Sequence, residues 1–272
     1  MSRYAVIGNP VSHSKSPLIH SLFAQQTGEA VAYSAIAVEP QNLEAFIGEF
    51  FSQGGAGLNV TVPHKEAVFA LAQSRCSPRA KRARAVNTLY QDSAGALWGD
   101  NTDGIGLVTD LQVNHRISLA GKRILLLGAG GAVRGALATL VDQSGVQLAV
   151  ANRTLARAEQ LRKDFSSLAD LIVLEYAALN EPWDIIINGT SAGLAGETPP
   201  ISPALVTSHT CCYDMLYGAA DTPFVEWAKR CGAGLAVDGL GMLVEQAAES
   251  FRIWRGVKPL TRPVIDRLRT TL

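Results

Sequence analysis

The sequence predicts an α/β protein of two units, and three observations predict it. Strand-like apolar runs alternate with amphipathic helical runs along nearly all of the 272 residues, the pattern of mainly parallel sheets flanked by helices. The alternation restarts near residue 104. The restarted half opens on a continuous apolar run that ends in a glycine turn. The expected units are residues 1–103 together with 239–272, and residues 104–238, with a cleft between them suited to a small ligand.

In the first unit, YAVIGN reads as a strand and SPLIHSLFAQQTG as a helix ending at Gly28. VAYSAIAV is the next strand, and NLEAFIGEFFSQGG is an amphipathic helix closed by two glycines. AGLNVTVP follows as a strand and HKEAVFALAQ as a helix, with Lys65 near its start. AVNTLYQDSAGALWGDN reads as a hairpin turning on DSAG. In the second unit come the helix GIGLVTDLQ, the strand–turn–helix KRILLLGAGGAVRGALATL, the strand QLAVANRT and the helix LARAEQLRKDF. WDIIINGT, CCYDMLYG and GLAVDG supply further strands, and MLVEQAAESFRIWRGVKP is helical. There is no internal repeat, low-complexity tract or long linker.

Composition excludes several classes of function. A hydrophobic content of 47% supports a large core, and 24 basic residues balance 24 acidic ones. No global charge draws the chain to nucleic acid or anionic membrane, so any anion must be captured locally. No run approaches the roughly 20 apolar residues of a membrane span, and the N-terminal apolar stretch is too short for a signal peptide. Cys76, Cys211, Cys212 and Cys231 form no CxxC pair, so they read as reduced, structural thiols of a cytoplasmic protein, with no metal site expected.

The glycine turn LLLGAGGAVRGA places Gly128, Gly130 and Gly131 between a strand and a helix, where backbone amides and the helix N-terminus can approach a pyrophosphate. Many α/β turns contain glycines, and the third small position of the dinucleotide fingerprint is Val133, so the turn alone is a weak signal. Its setting favours a Rossmann-like unit. At the tip of the following strand, an NAD site usually carries an acidic residue for the ribose hydroxyls. This chain has Asn152, Arg153 and Thr154, with Arg157 one turn on. A solvated, Arg-bearing helix start is the ordinary explanation; at this position in such a unit, the donors suit the 2′-phosphate of NADP.

Three polar stretches stand out in the first unit. PVSHSKSP follows the first strand, where open α/β sheets place ligands. Ser16 there has the alternative role of a helix cap, whereas Ser14 has no such role, and the two hydroxyls together can hold a carboxylate. His13 and His20 read as surface or packing residues. Read as a strand, LNVTVPHK puts Leu58, Val60 and Val62 on a core face and Asn59, Thr61, Pro63 and Lys65 on the other. GDNTDGIG places Asp103 before a helix, where capping is again the ordinary role, but near a lysine its carboxylate can tune the amine.

In PVSHSKSP, LNVTVPHK, AVNT, GDNTDG, LGAGGA, NRT, NGTSAG and DGLGMLVEQAA, taken in order and at their spacing, the chain resembles the shikimate dehydrogenase family over essentially its whole length. The resemblance implies an NADP-dependent oxidoreductase for reversible reduction of 3-dehydroshikimate to shikimate, a step of aromatic amino-acid biosynthesis. It implies that Ser14 and Ser16 hold the substrate carboxylate, and that Asn59, Thr61, Asn87, Asp103, Tyr217 and Gln246 contact the ring hydroxyls or groups beside them. Lys65 and Asp103 are the implied catalytic pair. Gly128, Ala129, Gly130, Gly131 and Ala132 hold the pyrophosphate, and Asn152, Arg153, Thr154 and Arg157 the 2′-phosphate. Met215 and Gly239 line the nicotinamide pocket.

Two residues depart from the family pattern. Arg84 stands where glycine usually precedes AVNT, either crowding the pocket or facing solvent, and alanine replaces proline in YxPxxT. The reading is therefore of a monomeric or homodimeric enzyme with a small-molecule substrate. A quinate/shikimate dehydrogenase, a divergent paralogue for a related cyclohexane carboxylate, and a non-catalytic ligand sensor are the alternatives.

Overall fold

A computed structural model describes residues 1–272, the side chain of Gln73 excepted. They form two compact units, Met1–Gly106 with Leu243–Arg267, and Leu107–Met242 with Leu268–Leu272. The divisions fall within helices and not at residues 103 and 239, because a helix already under way does not break where a motif ends. Arg269 ties the last residues to the second unit through hydrogen bonds of 2.7 and 2.6 Å to Asp238.

In chain order the first unit contains β1 (Ser2–Gly8), α1 (Ser16–Thr27), β2 (Val31–Ala37), α2 (Leu43–Ser52), β3 (Gly55–Val60) and α3 (Lys65–Ala72). α4 (Pro78–Ala83), β4 (Thr88–Gln91), β5 (Leu97–Asp100) and α5 (Asp103–Thr109) follow. The second unit holds β6 (Arg123–Leu127), α6 (Gly131–Leu140), β7 (Gln147–Ala151), α7 (Leu155–Phe165), β8 (Ile172–Leu174) and β9 (Ile185–Asn188). It continues with β10 (Cys211–Asp214), α8 (Pro223–Arg230) and β11 (Leu235–Val237), before α9 (Leu240–Arg255) and α10 (Arg262–Arg269).

The first sheet runs β2-β1-β3-β4-β5. Its first three strands are parallel, and β4 and β5 add an antiparallel hairpin that turns, as the sequence suggests, on residues 92–95. Alternation sorts the faces. Ala5, Ile7, Leu58 and Val60 pack with Ile47, Phe50 and Phe51 on one face. Tyr4 and its register partner Tyr33 lie on the other, in an aromatic layer with His20, Phe23, Phe251 and Trp254.

β3 ends at Val60, three residues short of the sequence reading, and Val62 is 69% exposed instead of facing the core. Pro63 has no N–H to extend the ladder, and the chain turns back as His64 N donates to Thr61 O. α3 then begins at Lys65 itself. Three short elements, α4, β8 and α8, were not evident in the sequence. α4 is capped by Ser77, whose hydroxyl accepts from Ala80 N, and ends at Arg84 with φ 50° and ψ 35°. That left-handed conformation explains why glycine suits the position. Arg84 is solvent-exposed rather than packed over Asn87.

The second sheet runs β11-β10-β9-β6-β7-β8 with every pair parallel. Read from β8, this is the strand order of a dinucleotide-binding fold, whose ligand sits beyond the strand C-termini where the order reverses, here at β6 and β9. Its interior is apolar on both faces, with Leu125, Leu127, Ile186, Cys212 and Phe224 in one cluster. Burial pushes the thiols of Cys211 and Cys212 up to about 12, which makes them packing groups and not nucleophiles. Among the described residues no helix is long and apolar enough to cross a membrane.

His20 has a thermodynamic consequence. It is fully buried, its ring nitrogens have no hydrogen-bond partner, and it stacks on Tyr33 at 4.2 Å. Burial pushes its imidazole down to about 3, with the neighbouring Asn59 opposing. In the unfolded chain the same imidazole titrates near 6.5. The folded protein is therefore at full advantage above that pH, and loses stability as pH falls towards about 3 because only the unfolded chain takes up the proton. Chemical denaturation at pH 7, 6 and 5 should show a fall of up to about 1.4 kcal/mol per pH unit from this group. His20→Phe should flatten the profile by about one proton; an unchanged slope would exclude His20 as its source.

Candidate active site

Each unit carries its own cluster of polar groups beyond strand C-termini. In the first, Ser14 and Ser16 follow β1. Ser16 N donates to Ser14 Oγ at 3.3 Å, and Ser16 opens α1 with Pro17 behind it. The cap position is Lys15, and no side chain caps the helix, so the Ser16 hydroxyl is not spent on capping. Asp103 likewise is the first residue of α5 and not its cap. Asn101 Oδ1 accepts from Asp103 N at 3.1 Å, which releases the Asp103 carboxylate for other partners.

Those partners are Lys65, whose Nζ donates to Asp103 Oδ2 at 2.6 Å, and Asn87, whose Nδ2 donates to Asp103 Oδ1 at 2.8 Å. The lysine side chain is 25% exposed against 10% for the aspartate, so the pair is open on the amine side. Asn87 is buried and saturated. Its Nδ2 also donates to Thr102 Oγ1 at 2.9 Å, and its Oδ1 accepts from Thr102 N at 2.9 Å and Thr88 Oγ1 at 2.8 Å. Gln246 of α9 reaches the same point, its Oε1 lying 3.3 Å from both Asn87 Nδ2 and Thr102 Oγ1.

Asn59, also buried, donates from Nδ2 to Asn87 O at 3.1 Å and Ser250 Oγ at 3.0 Å. Thr61 is half-buried, its methyl set against Gly8, where a Cβ would approach to 2.4 Å. Every substrate residue read from the sequence, except Tyr217, thus lies in the first unit. Sequence reasoning missed Thr88, Thr102 and Ser250: lone hydroxyls carry no signal until folding brings them together. It also missed the ionic clamp beneath them. Arg79 bonds Asp100 at 2.7 and 2.9 Å and Glu249 at 2.8 Å, tying the end of β5 to α9.

In the second unit, β6 is followed directly by Gly128, which has φ 103°; a Cβ there would sit 3.1 Å from Gly189 O. Gly130 and Gly131 meet open space at the position a Cβ would take, and with Ala132 they are exposed at the N-terminus of α6. Ala129 is half-buried beside them. Free amides, a helix dipole and no side-chain bulk form a cradle that fits a pyrophosphate. Val133, the odd residue of the fingerprint, is fully buried, and its Cγ2 fills the place where a Gly189 Cβ would come within 2.5 Å. The bulk that the helix carries is therefore offset by a glycine on the neighbouring strand end.

At the tip of β7, Asn152 Nδ2 donates to Thr154 O at 2.8 Å and shapes the turn into α7. Arg153, Thr154 and Arg157 are exposed, and among the described residues neither guanidinium has an ion-pair partner. Cationic donors without a local carboxylate fit a phosphate better than a ribose diol. Beyond β9 and β10, the buried Asn188 and Asp214 organise the loops. Asn188 Nδ2 donates to Asp214 Oδ1 at 3.1 Å, and Asp214 also accepts from Leu216 N at 3.1 Å and Thr222 Oγ1 at 2.6 Å. This fixes the loop bearing Met215 and Tyr217, despite alanine in place of proline. Gly239 packs against it so closely that a Cβ would lie 2.4 Å from Met215 O.

Comparison with known proteins adds the decisive observation. Residues 6–89 match the shikimate dehydrogenase substrate binding domain, 111–196 the shikimate/quinate 5-dehydrogenase family, and 239–269 the shikimate 5′-dehydrogenase C-terminal domain. A shikimate dehydrogenase (NADP(+)) of Alkalilimnicola ehrlichii is 55% identical over 98% of either chain. The chain belongs to the shikimate dehydrogenase family. Among solved structures of similar fold, an Ael1 enzyme from Pseudomonas putida has a TM-score of 0.93 at 45% identity, with 98% of both chains covered. Shikimate 5-dehydrogenase of Thermus thermophilus, solved with NADP(H) and shikimate, has a TM-score of 0.90 at 33% identity, with 100% of both chains covered. The match to curated relatives runs over 98% or more of this chain, and the chain is an NADP-dependent oxidoreductase acting on CH–OH.

The offset between Val133 and Gly189 is testable. Gly189→Ala should force Val133 out of its site and weaken NADP binding about tenfold or more, with a lower melting temperature. Val133→Ala in the same chain should restore most of both; failure of the double variant to recover would show that Gly189 serves another purpose. Fluorescence titration with NADP and thermal melts read the two effects.

Proposed function

We propose that this chain catalyses the reversible NADP-linked interconversion of shikimate and 3-dehydroshikimate, with Lys65 and Asp103 as the catalytic pair. The observation that carries the reading is that pair, 2.6 Å apart at the edge of a saturated hydrogen-bond cluster, in a chain of this family. The hydroxyls of Ser14 and Ser16 hold the substrate carboxylate. Asn59, Thr61, Asn87, Tyr217 and Gln246 contact the ring hydroxyls. Gly128, Ala129, Gly130, Gly131 and Ala132 hold the pyrophosphate, with Asn152, Arg153, Thr154 and Arg157 on the 2′-phosphate and Met215 and Gly239 beside the nicotinamide.

When bound, NADP supplies the chemistry that a protein lacks, accepting or giving the hydride at its nicotinamide. The remaining task for the chain is to move one proton and fix one geometry. Lys65 takes the proton of the reacting hydroxyl in oxidation and returns it to the carbonyl oxygen in reduction. Asp103 holds Nζ in place and offsets its charge. Asn87 holds Asp103, so a misplaced amide would displace the proton carrier. The reading extends to a cytoplasmic enzyme, monomeric or homodimeric, with reduced cysteines.

Absorbance at the nicotinamide band, with shikimate and quinate each tested against NADP and NAD, checks the whole assignment. Rapid NADP-linked oxidation of shikimate alone supports it; faster quinate turnover would favour a quinate/shikimate enzyme. Lys65→Ala should lower kcat by about a hundredfold or more with NADP affinity unchanged, as expected for a lost general acid–base. A near-normal kcat would remove Lys65 from the mechanism. Arg153→Ala should raise the Kd for NADPH about tenfold while leaving NADH nearly untouched. Equal losses for both would show that Arg153 does not read the phosphate.

A further inference from the structure

Tyr33 lies on β2, outside every motif that the sequence offers, and its hydroxyl donates to Asn59 Oδ1 at 2.7 Å. The orientation of that amide is not arbitrary. Asn87 O, which can only accept, lies 3.1 Å from Asn59 Nδ2, so the nitrogen must face it and the oxygen must face Tyr33. The phenol hydrogen is thereby committed to Asn59. The amide so oriented belongs to the ring-hydroxyl set and is nearly buried, at 6% exposure.

The ring itself is held independently of its hydroxyl. It stacks on His20 at 4.2 Å with 6° between the planes, and meets Trp254 at 6.3 Å. Packing therefore sets where the oxygen lies, and the oxygen sets how Asn59 points. We propose that Tyr33 is a positioning residue of the substrate subsite, its hydroxyl holding Asn59 in the orientation in which it meets the substrate. This rests on the reading in which Asn59 contacts shikimate.

Tyr33→Phe keeps the stacked ring and deletes only the hydroxyl, leaving the Asn59 oxygen without its partner and the amide free to turn. The expected result is a fall of about tenfold in kcat/KM for shikimate, the effect of one lost neutral hydrogen bond, with the KM for NADP unchanged. A double-mutant cycle gives the readout that a merely structural role would not move. In an Asn59→Ala background, Tyr33→Phe should cost less than about twofold, because its effect passes through Asn59. Multiplying losses would overturn the proposal, as would a Tyr33→Phe enzyme of wild-type kcat/KM. A Tyr33→Phe chain that does not fold, judged by circular dichroism, assigns the hydroxyl to stability and overturns it too. A wild-type chain that turns over no shikimate overturns the functional reading and this inference with it; an active wild type beside an unaffected variant overturns the inference alone.

Discussion

Asn87 has two hydrogens to give on Nδ2 and two lone pairs on Oδ1, and the first unit uses all of them: Thr102 and Asp103 on the nitrogen, Thr102 N and Thr88 on the oxygen. A buried amide in that state has one orientation, because any rotation leaves several polar groups unpaired at about 1–3 kcal/mol each. The rest of the polar cluster inherits its order. Asp103 is aimed by Asn87, Lys65 by Asp103, and Gln246 closes the far side. The Lys65 amine is thus held through a chain of hydrogen bonds anchored just before a hairpin strand, and not by the helix it begins.

The second unit meets a different constraint, space rather than hydrogen bonding. Glycine residues appear where backbone must approach backbone, as at Gly128 and Gly239, and where a neighbour has grown, as at Gly189 beside Val133. A dinucleotide fingerprint is usually read as three small residues in one turn, yet the physical requirement is close contact between helix and strand. That requirement can be met from the strand side. The same fold therefore tolerates a sequence that looks imperfect when the turn is read alone.

Much of this was legible in the sequence because periodicity and glycine placement are local signals. The α/β alternation, the hairpin on DSAG and the start of α3 at Lys65 all follow from short-range patterns. The capping alternatives for Ser16 and Asp103 were answered only in three dimensions, where Lys15 holds the cap position of α1 and Asp103 is itself the first residue of α5. Val62 misled because the alternation was carried beyond Val60, where β3 ends, up to the proline. Thr88, Thr102, Tyr33 and Ser250 were invisible for a deeper reason. Their importance lies in whom they touch, and Ser250 meets Thr88 across 162 residues of chain.

That separation also sets an order of assembly. The first unit is discontinuous: its sheet is complete by Asp100, but Ser250, Phe251 and Trp254 arrive only with α9. As the chain leaves the ribosome, the inserted second unit has all of its strands before those residues appear. Until then Asn59 lacks the Ser250 hydroxyl, and the aromatic layer around His20 lacks Phe251 and Trp254. The nascent protein thus holds every strand of its second sheet well before the polar cluster and aromatic layer of its first unit are complete.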